Sequence, residues 1–194
     1  MKKIILLVFL GLSTSIFAQV ASAPEDVSPL LIGEKIPTLN LHDSKGVSVS
    51  TETIFNKKTV LIVYRGGWCP YCNAQLADMQ SIEKDIIELG FQVVAVSPDS
   101  PESIKETEGK DKLGYQLFSD SDGTFIKSLG IAFKAPEKYS GMLGKFSGGK
   151  NNSILPVPTV YVVNEKKEIQ FLFINPDYKT RLKGNLLLAV LKNL

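Results

Sequence analysis

Two apolar, β-branched segments with a helical segment between them constrain the fold of this chain most strongly. Residues 59–64 and 91–96 are continuous apolar runs with the length and composition of buried strands. Between them, apolar residues recur at helical spacing from Cys72 to Leu89, and Gly90 follows as a C-cap. The pattern predicts a βαβ unit, whose two strands run parallel and are joined by a right-handed crossover.

The only two cysteines of the chain lie where the first strand turns into this helix, as Cys69-Pro70-Tyr71-Cys72. Unpaired backbone N–H groups and the helix macrodipole stabilise an anion at a helix N-terminus. A cysteine at such a place can have its pKa lowered from about 8.5 into the range ~3.5–7.5, and the thiolate is the reactive form. The sequence therefore predicts a redox-active dithiol. A purely structural disulfide is the alternative, although a bridge that closes so short a loop stabilises a fold little.

Composition argues against a metal site and against nucleic-acid binding. Zinc needs four ligands, but no third cysteine exists and His42 is the only histidine. Without residues 1–18 the chain carries 20 basic and 20 acidic residues, so it has no basic stripe for nucleic acid or membrane lipids. We expect no cofactor and no metal.

The first 18 residues have the pattern of a secretory signal peptide. Lys2 and Lys3 precede an apolar stretch from Ile4 to Leu12, and small residues lead to Ala18, after which we place the cleavage. The alternative is an uncleaved membrane anchor. Cleavage predicts a periplasmic or secreted protein, in a compartment where disulfides form. We divide the rest into an extended leader, residues 19–35, and a redox domain, residues 36–194.

The remaining pattern predicts an α/β, thioredoxin-like three-layer fold, with a mixed central β-sheet flanked by helices and an N-terminal hairpin. Residues 135–153 have no convincing period, which favours a flexible loop over a functional flap. The other expected elements are a hairpin around 43–46, a helix from 101 to 108, a strand at 115–118, a helical turn at 124–129, a hairpin of 159–163 with 168–174, and a final helix capped by 175–177, with Leu182, Leu186, Val190 and Leu191 on its inner side.

Residues 63–73, Val-Tyr-Arg-Gly-Gly-Trp-Cys-Pro-Tyr-Cys-Asn, resemble the active site of peroxiredoxin-like members of the alkyl hydroperoxide reductase/thiol-specific antioxidant superfamily. Residues 33–37, 96–100 and 118–123 resemble further landmarks of that family, and the likeness spans about 33–175. The resemblance implies a thiol-dependent antioxidant enzyme, with a thioredoxin-like reductant and a hydroperoxide or a protein disulfide as partners.

The peroxidase site implied by this resemblance is only partly present. Typical members place a proline seven residues, and a threonine three residues, before the peroxide-attacking cysteine. Aligned on Cys72, this chain has Arg65 and Cys69 at those places. The family also supplies an arginine from the strand near Thr159, but the residues before Thr159 are Val157 and Pro158.

The Cys-Pro-Tyr-Cys sequence instead resembles the glutaredoxin site, with Trp68 before it as in thioredoxins. Val157-Pro158-Thr159 resembles the cis-proline loop that faces the dithiol in those folds, which implies a cis peptide bond at Pro158. The leading hypothesis is thus a thiol–disulfide oxidoreductase. Cys69, the more exposed thiol, would attack a disulfide, and the more buried Cys72 would resolve the mixed disulfide.

The neighbouring residues have supporting roles in this hypothesis. Pro70 stiffens the first helical turn without the loss of a needed N–H. Trp68 and Tyr71 would flank the thiol with apolar surface, although Trp68 could equally serve in core packing. Arg65 could lower a thiolate pKa or hold an anionic substrate, and a plain surface salt bridge is the expected alternative.

Two other functions stay open. In a thiol peroxidase, Cys72 would attack the peroxide and become a sulfenic acid, which Cys69 would then resolve. In a non-catalytic redox-sensing or interaction module, residues 135–153 would form the binding surface.

Overall fold

The computed structural model describes residues 20–111 and 113–194, so the predicted signal peptide lies outside the described residues. The strands are β1 (Asn40–His42), β2 (Ser48–Ser50), β3 (Thr59–Val63), β4 (Gln92–Ser97), β5 (Gln116–Ser119), β6 (Ala132–Lys134), β7 (Ile154–Pro156), β8 (Thr159–Val163) and β9 (Ile169–Ile174). The helices are α1 (Thr51–Ile54), α2 (Pro70–Glu88), α3 (Pro101–Asp111), α4 (Thr124–Ser128), α5 (Ser140–Phe146) and α6 (Gly184–Leu191).

Seven strands form one mixed sheet in the order β2-β1-β5-β4-β3-β8-β9. Strands β3, β4 and β5 are parallel, whereas β8 pairs antiparallel with both β3 and β9. The predicted βαβ unit is therefore present, with β3 in the interior of the sheet between β4 and β8. Strands β6 and β7 form a separate antiparallel pair.

Helices cover both faces of the sheet. Since successive residues of a strand point to opposite sides, one strand can pack against the helices of both layers. Val60 and Ile62 of β3 pack in a cluster with residues of α2, α3 and α6. Leu61 and Val63 pack on the other face with residues of α1 and α4. These three layers confirm the predicted fold class.

The segment 135–153 is structured, which corrects the expectation of a flexible loop. It forms a 3-10 turn, Glu137–Tyr139, followed by α5. Leu143 is buried in a small cluster with Phe133 and Leu155, and the side-chain amide of Asn151 donates to the Ile154 carbonyl at 2.9 Å. Burial of one leucine and the local polar contacts stabilise a segment whose sequence shows no clear period.

The last helix also differs from its prediction. It begins after Lys183, and its buried residues are Gly184, Leu187 and Leu191. Leu186, expected on the inner side, is 54% exposed. Residues 175–183 instead form an irregular segment, stabilised by a turn in which the Thr180 N–H donates to the Asp177 carbonyl. This segment crosses the N-terminal end of α2.

Residues 20–35, the predicted extended leader, lie against the domain through backbone hydrogen bonds. Ala21 bonds to the β6 backbone, and the Ser28 N–H donates to the Gly130 carbonyl at 3.0 Å. Gly33 donates to the Ile169 carbonyl at 2.9 Å. Within the described part of the chain, no helix combines the length and the apolar character needed to span a membrane.

Candidate active site

The two cysteines lie at the junction between β3 and α2. Cys69 is the N-cap residue of α2, with extended backbone angles, and Pro70 occupies the first helical position, where no N–H is needed. The Cys69 carbonyl accepts from the backbone N–H groups of Cys72 and Asn73, at 3.0 and 3.1 Å. Cys72 thus lies in the first turn of the helix, as the sequence predicts.

A tight turn with a buried carboxylate holds this junction. Gly66 has φ +139°, and a Cβ there would lie 2.3 Å from Trp68 Nε1 and 2.6 Å from Asp99 Oδ1, so the turn requires glycine. The Gly67 N–H donates to Asp99 Oδ2 at 2.7 Å. Burial raises the pKa of Asp99 to about 7, against the lowering effect of that hydrogen bond.

Both cysteines are free thiols and both are buried. Cys69 is 1% exposed and Cys72 is 0% exposed, so the open access expected for Cys69 is absent, although Cys69 is still the less buried of the two. The two residues belong to the same core cluster as Leu76 and Met79 of α2. A partner molecule therefore reaches neither sulfur without some displacement of the covering side chains.

The two thiols have opposite pKa shifts. The pKa of Cys69 is lowered from 9.0 to about 6, mainly by a hydrogen bond from the Cys72 thiol and also by the charges of Arg65 and Arg181, while burial acts in the opposite direction. Burial and the adjacent Cys69 raise the pKa of Cys72 well above 9.0. At neutral pH the pair therefore holds one proton and one negative charge, and the charge is mainly on Cys69.

Arg181 contacts the dithiol, although it lies more than a hundred residues away in the sequence. Its Nη2 lies 3.4 Å from the Cys72 sulfur, and its Nη1 donates to Gln75 Oε1 at 2.7 Å. Its Nε donates to the Tyr178 carbonyl at 2.7 Å. Three contacts thus fix the guanidinium with one edge directed at the Cys72 sulfur.

Pro158 does not have the predicted cis peptide bond. Every peptide bond among the described residues is trans, including Val157–Pro158. The chain passes here from β7 in the small sheet to β8 in the central sheet, and a trans bond keeps this course extended. Pro158 is buried and lines a cleft together with Arg65. The main support for a thioredoxin-like substrate loop is therefore absent.

Arg65 is buried and does not form the surface salt bridge that was the expected alternative from the sequence. It is 4% exposed, and its guanidinium lies over three aromatic rings, those of Tyr178 (4.3 Å to the ring centroid), Tyr139 (5.0 Å) and Trp68 (5.1 Å). Its backbone N–H is directed to the Cys72 sulfur, where it lowers the thiol pKa. Arg65 therefore connects the dithiol with an aromatic cluster.

The other predicted site residues lie around the dithiol. Trp68 is half-buried and packs against Tyr139, with ring centroids 5.8 Å apart. Tyr71 is 41% exposed and meets Tyr178 edge to face at 5.6 Å. Pro70 is exposed. Within residues 20–111 and 113–194, no cluster of three or more histidine, cysteine or acidic side chains could hold a metal ion.

A mixed sheet flanked by helices, with a free dithiol in the first turn of the helix after a central strand, defines a thioredoxin-fold redox protein. The chain belongs to the AhpC/TSA family, whose sequence pattern matches residues 32–172. This membership makes the protein an oxidoreductase that acts on thiols.

Individual relatives agree with the family. A putative peroxiredoxin Bcp of Haemophilus influenzae is 26% identical over 105 residues, which are 54% of this chain and 68% of the relative. The 1-Cys peroxiredoxin PER1 of Triticum aestivum is 25% identical over 169 residues, 83% of this chain and 72% of the relative. The fold matches reduced Prx3 of Vibrio vulnificus in complex with H2O2, with a TM-score of 0.72, 16% identity, and coverage of 84% of this chain and 99% of that chain.

Sequence reasoning missed two residues of this site, Arg181 and Asp99. The one sequence signal for Arg181 was that arginine is rare in this chain, which has only two. In the structure both arginines lie at the dithiol. Asp99 lies in the segment 96–100 that resembles a family landmark, but nothing in its spacing assigns its side chain to the cysteine turn.

Proposed function

We propose that this protein is a thiol peroxidase in which Cys72 attacks a hydroperoxide and Cys69 resolves the product. The observation that carries the proposal is the Arg181 guanidinium, 3.4 Å from the Cys72 sulfur. A fixed cation at this place would polarise the peroxide and stabilise the charge that develops on the leaving oxygen. The family's own arginine position holds Val157 and Pro158, so Arg181 would supply the same charge from another segment.

Burial of both sulfurs also favours a small oxidant. A disulfide partner has to bring its sulfur to bonding distance, about 2.05 Å, from the attacking sulfur. Because Cys69 and Cys72 are only 1% and 0% exposed, entry of a whole protein segment would displace far more of the covering side chains than entry of a peroxide with its two reacting oxygens. The relative solved with H2O2 bound shares the fold of this chain.

The reaction would proceed in two steps. The dithiol would ionise first at Cys69, and transfer of the Cys72 proton across their hydrogen bond, against the order of the two pKa values, would place the charge on Cys72, beside Arg181. A thiolate of higher pKa is the stronger nucleophile. Cys72 would attack one peroxide oxygen and form a sulfenic acid, while the O–O bond breaks and the other oxygen takes a proton from solvent and leaves as water or an alcohol. The Cys69 thiol would then form the Cys69–Cys72 disulfide with loss of water, and a thioredoxin-like dithiol would return two electrons.

Single-cysteine variants test the roles of the two thiols. Reduced Cys69→Ser and Cys72→Ser proteins are each mixed with sub-stoichiometric H2O2, and the products are identified by mass. We expect one added oxygen on Cys72 in Cys69→Ser, and no reaction in the doubly substituted control. Oxidation of Cys69 in Cys72→Ser, with an inert Cys69→Ser, would reverse the assignment.

Arg181 variants directly test the role of the contact between the Arg181 guanidinium and the Cys72 sulfur. Arg181→Met should slow the reaction of Cys72 with H2O2 by about 10²–10³-fold, the usual effect of a lost electrostatic donor. Arg181→Lys keeps the charge and should lose less. A reaction rate in Arg181→Met equal to that of the wild type would remove the argument for peroxide activation at Cys72.

Thiol–disulfide exchange through Cys69 is the second candidate, and the lowered pKa of Cys69, about 6, favours it. In this case Cys69 would attack a disulfide and Cys72 would resolve it. Cys72→Ser should then trap a mixed disulfide with a model disulfide such as oxidised glutathione or a scrambled protein. Failure to trap any adduct, with Cys69 still open to alkylation, would eliminate exchange.

We also propose export of the protein, on the basic, apolar and small-residue succession of residues 1–18. Intact mass of the exported protein should show a chain that begins near Gln19. Retention of residues 1–18 in a membrane fraction would contradict this proposal.

A further inference from the structure

We propose that a cleft beside the dithiol binds a small apolar monocarboxylate, with Arg65 as the residue that holds the carboxylate. The cleft has a volume of about 240 Å³. Arg65 and Pro158 line it together with aromatic and further proline side chains. This site would exist whether or not the peroxidase assignment holds, since it rests on Arg65 and not on the chemistry of the thiols.

The first argument is that, in the part of the chain that the structure describes, the Arg65 guanidinium has no anionic partner in direct contact with it. Among the described residues, its guanidinium forms no salt bridge and no hydrogen bond, and its Nε is a buried donor without a partner. A buried charge without a partner is costly, and cation–π contacts compensate only part of that cost. An anion in the cleft would supply the absent partner.

The second argument is the charge of the cleft lining. Its charged residues are Arg65 and Lys138, and no aspartate or glutamate of the described residues lines it. The rings of Trp68, Tyr139 and Tyr178 lie against the guanidinium, which leaves its in-plane donors for a ligand. A carboxylate suits such donors, because its two oxygens match the planar fork of an arginine.

The third argument concerns the size and the rest of the ligand. Five prolines and Phe133 contribute apolar walls, so the part of the ligand beyond the carboxylate should be apolar. Pockets for drug-sized molecules occupy about 300–1,000 Å³. The smaller volume here suits a short aliphatic or aromatic acid better than a large multiply charged molecule.

Binding at this site would be linked to the dithiol. The groups that act electrostatically on Cys69 are Cys72, Arg65, Arg181 and, through its own shift, Asp99. A carboxylate on Arg65 would neutralise the cation that helps to stabilise the Cys69 thiolate. Occupancy should therefore raise the pKa of Cys69 and reduce its reactivity near neutral pH, and by linkage the thiolate should weaken carboxylate binding.

The single tryptophan, Trp68, provides a direct readout because its ring lies over the Arg65 guanidinium. We would titrate the reduced full-length protein with hexanoate at constant ionic strength, and compare hexan-1-ol and acetate. Hexanoate should change the Trp68 fluorescence saturably, whereas hexan-1-ol and acetate should bind at least tenfold more weakly. Equal responses to hexanoate and hexan-1-ol, or no saturable response to hexanoate, would overturn the proposal.

Variants separate the effect of the Arg65 charge on hexanoate binding from an effect on folding. Arg65→Met should weaken hexanoate binding by about 10- to 100-fold, as expected for loss of charge-assisted hydrogen bonds, and Arg65→Lys should retain part of the affinity. Lys138→Gln, at an exposed position of the rim, should have a smaller effect. Hexanoate should also shift the alkylation profile of Cys69 to higher pH in the wild type. Unchanged affinity in a folded Arg65→Met protein would show that Arg65 does not hold the ligand.

Discussion

The hydrogen bond between the two thiols is the contact whose removal we can predict most closely. The Cys72 thiol donates to Cys69 and is the largest cause of the lowered Cys69 pKa, about 6. Cys72→Ala removes this donor. Cys72→Ser keeps a hydroxyl donor at the same place and is the matched control.

The size of the effect follows from the charge on the acceptor. A hydrogen bond to a charged group contributes about 1.5–3 kcal/mol, and one pKa unit corresponds to about 1.36 kcal/mol. Loss of the donor should therefore raise the Cys69 pKa by about 1–2 units, from about 6 to about 7–8. The charges of Arg65 and Arg181 remain in the variant and keep the pKa below its ordinary value of 9.0.

The pKa can be measured from the pH dependence of iodoacetamide alkylation of Cys69, followed by mass spectrometry. At pH 7, about half or fewer of the Cys72→Ala molecules should carry the thiolate, while most of the Cys72→Ser molecules should carry it. A Cys69 pKa near 6 in Cys72→Ala would refute the reasoning, and would assign the lowering to the two arginines. A raised pKa in both variants would show that the hydroxyl does not replace the thiol as donor.

Three further outcomes are expected. Gly66→Ala should lower the free energy of unfolding in urea by roughly 1–3 kcal/mol or more, because φ is +139° and the new Cβ meets Asp99, whereas Gly144→Ala, in open space on α5, should be neutral or stabilising. Leu187→Ala should cost about 2–5 kcal/mol at a fully buried site, and Leu186→Ala, at a half-exposed one, about 0.5 kcal/mol or less. The pKa of Asp99 in the folded protein is raised from 3.8 to about 7, so its contribution to stability is present below pH 4 and is lost as the pH rises through 7. Asp99→Asn should flatten this part of the plot of unfolding free energy against pH. An unchanged plot would contradict the pKa shift.

The contrast between Leu186 and Leu187 shows how far periodicity alone can predict packing. Both are leucines within one apolar run, and the run predicts a helix correctly. The buried face depends on where α6 begins and on how it meets α2, where Asp78 accepts from the Gly184 N–H at 2.9 Å. That contact joins residues distant in sequence, so no local pattern contains it.

The segment 135–153 shows the same limit for local order. Its glycines and serines lower the helix propensity, and the sequence accordingly favours a flexible loop. In the folded protein, Leu143 enters a small cluster and Tyr139 packs on Trp68. Tertiary burial thus supplied the stability that propensity did not.

By itself, the sequence determined the βαβ unit, the α/β fold class and the position of Cys69 and Cys72 at a helix N-terminus. These features depend on apolar periodicity and on the helix backbone, which act over a few neighbouring residues. Only the tertiary structure decided the burial of both thiols, the trans bond at Pro158, the burial of Arg65 against three aromatic rings and the contact of Arg181 with Cys72. Each of these depends on segments that are far apart in the chain and meet only when the sheet and its helices have assembled.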